Sequence, residues 1–490
     1  MFQIFQQFNI HISNMSYIDT TKITEITKLV ELLNISDSDI EITKQTLLKI
    51  YTNSIEHKLK FDILKKNDNF NEIITNCFKI TNINGQINKK IKQSNQSNQS
   101  NKSNQSNQSN QSKQSSVVKY KCYICRSNLA VVDNQMCNNC FNINLIKRNI
   151  RANLEGKISI VTGGRVKIGF ETAIKLLECG SKVIVTTRFP ADALDRYKSH
   201  PKYNEFSHNL IIYAIDLRYM KDIDVFVKYI YDNYEKLDIL IHNAAQTIRR
   251  PKQFYSHLLT NETKFIESCK LIENSEIIND ETYESCESNT VLIPNHENFM
   301  NKVFNPLQDC DNLNDFPVGC FDKNNEQIDM RESNTWIKKL GEIDLFECAE
   351  LLSINTLAPF HMNQQFKSLM TKSNGAYIVN VSSMEGVFNM KKSENHPHTN
   401  MAKAALNMMT RTSAQQYSKY NIYMISVDTG WITDEYPIRY DCDNFKKRKI
   451  YVPLTNLDGA CRILDPVFAY FNGGEPLNGV FLKDYVVSNW

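Results

Sequence analysis

The stretch Lys157-Ile-Ser-Ile-Val-Thr-Gly-Gly-Arg-Val-Lys-Ile-Gly169 runs an apolar strand into a glycine turn and then into a helix. Ile158, Ile160 and Val161 read as a buried strand, while Phe170, Ala173, Ile174 and Leu177 fall on one face of the helix that follows. A turn of this kind points backbone N–H groups and the positive end of a helix at an anion, which suits a pyrophosphate. Gly163, Ile168 and Gly169 are therefore candidate cofactor contacts.

Working outward, Lys182 to Thr186, Leu210 to Ile215 and Leu237 to His242 read as further strands with helical segments between them. That alternation predicts an α/β fold, a Rossmann-type doubly wound parallel sheet. Asp216 closes the third strand and His242-Asn-Ala-Ala245 the fourth. Asn355 lies in the helix Leu351–Phe360, strand Ala376–Ser383 follows, then helix Thr399–Leu406 and strand Tyr423–Asp428. This ordered series resembles the short-chain dehydrogenase/reductase family from about Leu154 to Trp490, roughly two thirds of the chain. The resemblance implies a nicotinamide dinucleotide in the crevice, with Asp216 and Asn243 among its candidate contacts.

Charge then bears on which dinucleotide is held. An acidic residue about 20 positions beyond the glycine turn would accept a hydrogen bond from the ribose 2′-hydroxyl of NAD. Thr187 and Arg188 occupy that place. A guanidinium binds a 2′-phosphate through paired, charge-assisted hydrogen bonds, so NADP(H) is expected, with NAD(H) the alternative. Arg165 is a second candidate phosphate ligand, and the plain alternative for both arginines is a solvated surface charge. Lys167 stands where the family has its middle glycine.

The resemblance also implies a reaction centre. In the family a tyrosine four residues before a lysine completes hydride transfer, with a serine polarising the substrate oxygen and an asparagine supporting a proton relay. Ser383, Lys403 and Asn355 match those positions, and Lys403 is also expected to hold ribose. The tyrosine position is Thr399, whose aliphatic hydroxyl has no ionised form near neutral pH. His398 beside it is the substitute proton carrier, since imidazole titrates in the useful range. The competing reading is a pair of structural histidines, His396 and His398, ahead of a helix that Thr399 caps. Thr433, in the loop Asp428-Thr-Gly-Trp-Ile-Thr433, is the candidate contact to the carboxamide end of the cofactor.

Upstream, Cys122-Tyr-Ile-Cys125 and Cys137-Asn-Asn-Cys140 are two Cys-x2-Cys knuckles eleven residues apart. Four soft thiolates at this spacing converge tetrahedrally on zinc, and an all-cysteine set leaves no open position for water, so the metal is expected to be structural. Lys147, Arg148 and Arg151 follow the knuckles, but a formal net charge of +3 over 490 residues offers no general footprint for nucleic acid.

The domain layout follows: a small helical region over 1–90, a Ser/Asn/Gln linker over 91–117, a zinc module over 118–150, and a dehydrogenase-like domain over 154–490 with an insertion at about 251–338. The insertion sits past a strand's carboxyl end, where a lid or a subunit contact would form, with disorder the alternative. Its cysteines, Cys269, Cys286, Cys310 and Cys320, lack knuckle spacing and read as free thiols. No apolar run has membrane-spanning length, no signal peptide opens the chain, and thirteen cysteines then indicate a reducing compartment, so a cytoplasmic protein is expected. The leading expectation is an NAD(P)(H)-dependent oxidoreductase acting on a carbonyl or alcohol of a small molecule, working in the direction of reduction if NADP(H) is the cofactor. The alternatives are a dinucleotide-binding protein without turnover that acts through partner binding, and a zinc-knuckle adaptor with the sheet domain as scaffold. A homo-oligomer is implied by the resemblance alone.

Overall fold

The computed structural model describes residues 121–127, 135–273, 285–286, 290–294, 299, 313–433, 435–437 and 452–490. The expected helical region at 1–90 and the linker at 91–117 lie outside these residues, as do Cys310 and the side chains of Cys269 and Cys286.

The chain enters through α1 (Asn138–Asn149) and then alternates strand and helix. The first half is β1 (Ile158–Thr162), α2 (Lys167–Glu178), β2 (Lys182–Thr187), α3 (Pro190–Lys198), β3 (Leu210–Ala214), α4 (Met220–Asn233) and β4 (Ile239–His242). The insertion contributes α5 (Ser256–Glu273), β5 (Ser285–Cys286) and β6 (Val291–Leu292). The second half continues with α6 (Leu345–Leu352), α7 (Ala358–Met370), β7 (Ala376–Ser382), α8 (Pro397–Ser418), β8 (Ile422–Asp428), α9 (Asn456–Phe471), β9 (Phe481–Lys483) and β10 (Val486–Ser488). All ten strands form one sheet in the order β10-β9-β8-β7-β4-β1-β2-β3-β6-β5. The strands from β3 through β8 in that order are parallel, and chain progression reverses between β1 and β4. The crevice at the carboxyl ends of β1 and β4 is thus where such a sheet takes a ligand.

Alternation along each strand builds a core on both faces. Val161, Val183 and Val185 join Ala173, Leu177, Leu194 and Ile463 on one side, whereas Ile160 and Ile184 join Phe226, Met362 and Phe366 on the other. The insertion adds to the first core through Phe254, Leu258 and Ile266, and supplies the antiparallel edge pair β5–β6, which no sequence pattern announced.

The helix expected over Leu351–Phe360 is corrected to two α-helices joined by a π-turn at Ser353–Leu357. Two local causes are visible. Pro359 has no N–H to return to the Asn355 carbonyl four residues back, and the Asn355 side chain is held by the loop after β4, accepting from the Gln246 amide at 2.7 Å and donating to its carbonyl at 2.8 Å. Single π-turns of this kind recur at functional sites.

Candidate active site

At the carboxyl end of β1, Gly163 takes a left-handed φ of +68° with Ala244 packed against it. A Cβ on Gly169 would overlap the Gly163 carbonyl oxygen and the Asn243 Nδ2. Asn243 braces this turn, donating to the Thr162 carbonyl at 3.0 Å and the Gly163 carbonyl at 3.1 Å. Lys167 opens α2 at φ +53°, so lysine occupies a left-handed position that glycine takes without penalty. Ile168, partly buried beside it, packs toward the cysteine module.

The two arginines have different surroundings. Arg165, a candidate phosphate ligand by sequence, is buried and committed to Asp192 at 2.5 Å and to Glu326 of the insertion at 2.7 Å. Arg196 reinforces the group, reaching Asp192 at 2.7 Å and Glu326 at 3.2 Å. Arg188 instead lies half-buried at the end of β2, donates to the Tyr255 hydroxyl at 3.0 Å and forms no ion pair among the described residues. Close by, Glu262 of α5 caps the start of α3, its two oxygens accepting from the Ala191 and Asp192 amides at 3.0 Å. Burial pushes the Glu262 carboxyl up to about 7 despite those amides. Glu262, Glu326 and Tyr255 escaped sequence reasoning because the insertion carries no motif. Asp216 is closed off by Arg218, whose Nε lies 2.9 Å from both carboxylate oxygens.

Of the residues expected at the reaction centre, Ser383 follows β7, while His398, Thr399 and Lys403 lie in α8. The Lys403 ammonium is buried and donates to the Val381 carbonyl at 2.9 Å. Burial lowers its pKa to about 8. Ser383 follows β7 in extended backbone, half-buried, with its carbonyl accepting from the Gly386 amide at 3.1 Å. His398 and Thr399 open α8, both buried, and neither imidazole nitrogen of His398 nor the Thr399 hydroxyl has a hydrogen-bond partner among the described residues. Ser382 Oγ, Asn400 Oδ1 and Asn407 Oδ1 are likewise buried and without a partner among the described residues, and buried polar atoms of this kind are ones a ligand satisfies. His396 stands apart at φ +42°, bonded through Nδ1 to the Trp336 carbonyl at 2.7 Å and stacked on the Trp336 ring at 3.9 Å. It serves to pin the segment before α8 to the insertion. Thr433 Oγ1 donates to Glu435 at 2.9 Å.

Two buried histidines carry a stability consequence. Burial first, and then the neighbouring His396 charge, lower His398 to about 4, while burial lowers His242 to about 4 against its bond to Asn363 at 2.8 Å. Both rings are neutral in the fold, whereas in the unfolded chain they take protons near 6.5. Their contribution is complete above pH 6.5 and lost as pH falls through about 4, at most about 3 kcal/mol per ring. Calorimetry should show the Tm falling steadily between pH 6.5 and 4; a flat Tm across that window would contradict the neutral assignment.

The four knuckle cysteines come together, their sulfurs all within 4.8 Å of one another and Cys125 Sγ 3.6 Å from Cys137 Sγ. A tetrahedron with metal–sulfur bonds of about 2.3 Å has edges of about 3.8 Å. The spacing of the four sulfurs is thus compatible with a four-coordinate metal site. Among the described residues no helix is long and apolar enough to cross a membrane.

Comparison with known proteins adds the following. A family model described as short chain dehydrogenase matches residues 157–267 and 324–436. An uncharacterized protein of Acanthamoeba polyphaga mimivirus is 30% identical over 363 residues, covering 71% of this chain and 71% of that protein. A short-chain dehydrogenase/reductase of Pyricularia grisea is 33% identical over 103 residues, 20% of this chain and 41% of its own length. Human retinol dehydrogenase 13 is 31% identical over 95 residues, 19% of this chain and 28% of its own. The match therefore spans less than half the length of these last two relatives. Among solved structures, an NADPH-bound carbonyl reductase from chicken fatty liver is 16% identical, with 70% of this chain and 100% of that chain covered at a TM-score of 0.42.

Proposed function

Because this chain belongs to the short-chain dehydrogenase/reductase family, we propose that it is a nicotinamide-dinucleotide-dependent oxidoreductase acting on an alcohol or carbonyl carbon of a small molecule, through an altered proton-transfer group. The observation that carries this reading is the cradle at Gly163 and Gly169, where the turn has no room for a Cβ and faces the sheet's crevice. The polar atoms of His398, Thr399 and Asn400 at the start of α8, without partners among the described residues, support the same reading.

The nicotinamide ring, when bound, supplies or takes the hydride. Lys403 keeps two ammonium donors beyond its bond to Val381 and holds ribose hydroxyls with them. Ser383 donates to the substrate oxygen. The Asn355 carbonyl, released by Pro359, positions a water for the proton's way out. His398 is neutral near pH 7 and so receives the alcohol's hydroxyl proton while the carbinol carbon gives up its hydride, leaving a carbonyl. A neutral His398 thus favours oxidation, a departure from the direction of reduction expected with NADP(H), and reduction calls on the small protonated fraction of the same imidazole.

Arg188 favours NADP(H) over NAD(H), since at the end of β2 it donates to the Tyr255 hydroxyl and forms no ion pair among the described residues. Calorimetric titration of the full chain with NADH and NADPH tests both parts. NADPH should bind more tightly, and Arg188→Ser should reduce its advantage roughly tenfold or more, the worth of a charge-assisted hydrogen bond. No heat with either dinucleotide would sink the enzyme reading. A second reading, a dinucleotide-binding protein without turnover, is favoured by Thr399 at the tyrosine position; single-turnover oxidation of an alcohol panel separates the two.

Zn²⁺ is the metal we assign to Cys122, Cys125, Cys137 and Cys140, in a structural role, and the reducing cytoplasm is the compartment in which those thiolates stay available for it. The exposed apolar side chains of Leu345 (78%) and Phe346 (76%) on α6, with Met401 and Met408 on α8, support a homo-oligomer in which a second copy covers them.

A further inference from the structure

We infer that the cysteine module is a fastening for the dinucleotide site, so that metal loading sets how firmly the loop at Asp428–Thr433 and the phosphate turn at Ile168 are held. The inference rests on the zinc reading above and assigns that metal a role in cofactor binding.

The contacts run from the knuckles to both halves of the site. Tyr123 sits between the metal ligands Cys122 and Cys125, and its hydroxyl accepts from the Trp431 amide at 2.8 Å, in the middle of the loop. Its ring lies under the Lys483 ammonium at 5.9 Å, and Lys483 in turn pairs with Asp428 at the head of the loop at 2.9 Å. Asp428 closes back on the Gly430 amide at 3.1 Å. The loop is therefore held at its fourth residue by Tyr123 itself and at its first by Lys483, which Tyr123 touches.

Packing repeats the connection. Cys122, Met136, Cys137 and Cys140 share one buried cluster with Ile432 of the loop, and Ile168 of the phosphate turn packs against it. Gly459 at the start of α9 lets Ile432 and Ile168 come close, since a Cβ there would meet both. Arg148, just past the last knuckle, fixes α9 by a bidentate pair to Asp458 with both bonds at 2.8 Å. The knuckles have little core of their own in the described residues. A short segment of this kind takes its shape from its metal, so loss of the ion removes the support on which Tyr123 and the cluster depend.

The test compares wild type and Tyr123→Phe, each as the full chain with zinc content measured. The phenylalanine keeps the ring over its neighbours and removes only the acceptor for the Trp431 amide. Both proteins should carry one zinc per chain. Hydrogen exchange at the Trp431 amide should accelerate about tenfold in the variant, and the Kd for NADPH should rise roughly five- to tenfold, the effect of one buried hydrogen bond. Removing zinc from wild type with a chelator should accelerate exchange throughout 428–433 and weaken NADPH at least as much. A zinc-loaded variant with unchanged exchange at Trp431 and unchanged Kd overturns the coupling. Wild type purified without zinc and unable to take it up overturns the metal reading beneath it. The exchange measurement needs no dinucleotide, so it stays decisive even if the oxidoreductase reading fails.

Discussion

Replacing Gly169 by alanine is expected to abolish dinucleotide binding and to destabilise the fold by about 2 to 4 kcal/mol. The added methyl has nowhere to go, because it would meet the Gly163 carbonyl and the Asn243 amide nitrogen. The first of those groups is backbone and the second a side-chain end held by hydrogen bonds. The Gly163 carbonyl belongs to a turn already in left-handed backbone, and Asn243 is tied to it and to the Thr162 carbonyl. To relieve the overlap, α2 must back away from β1, and that displaces the helix N-terminus that would face the pyrophosphate. Calorimetry should report a lower Tm, and titration with NADPH or NADH a Kd at least a hundredfold weaker. Binding within twofold of wild type would show that the crevice beside Gly169 is not the dinucleotide site.

The second large effect is expected at His398. His398→Ala should lower kcat for alcohol oxidation by about 10² to 10⁴, the usual span for a positioned acid or base, while leaving the Kd for dinucleotide unchanged. The pH profile separates this from a packing effect. Burial and the His396 charge hold His398 at about 4, so wild-type oxidation should rise as pH climbs through 4 and then level off. Burial holds Lys403 at about 8, so ribose binding by its charged form should weaken above that, giving a plateau between roughly 4 and 8. The variant should lose the acid limb and keep the alkaline one. A structural histidine would instead lower kcat and the Tm together without moving either limb. Activity created by Thr399→Tyr in a chain that otherwise shows none would favour the reading without turnover.

Much of this architecture is legible in residue order because it is local and periodic. The strand–turn–helix at 157–169 announces itself through three glycines with apolar residues at strand and then helix spacing, and the fold has β1, its turn and α2 there. The knuckle cysteines are legible for the same reason: two short loops, each with two thiols, bring four sulfurs within 4.8 Å. Sequence periodicity also runs past its reach. The helix over Leu351–Phe360 looks continuous, since nothing nearby says that Asn355 will bond a loop over a hundred residues earlier in the chain.

What the linear order of residues determines here is the sheet class, the strand–turn–helix at 157–169 and the clustering of the four knuckle cysteines, since each depends on neighbours a few residues away. Only tertiary packing decides that Arg165 goes to Asp192 and Glu326 while Arg188 keeps its charge, that two histidines stay neutral, and that Tyr123 meets the Trp431 amide. Charge pairing and desolvation depend on which groups approach through space, and an insertion or module without a repeating pattern gives no notice of where it will land.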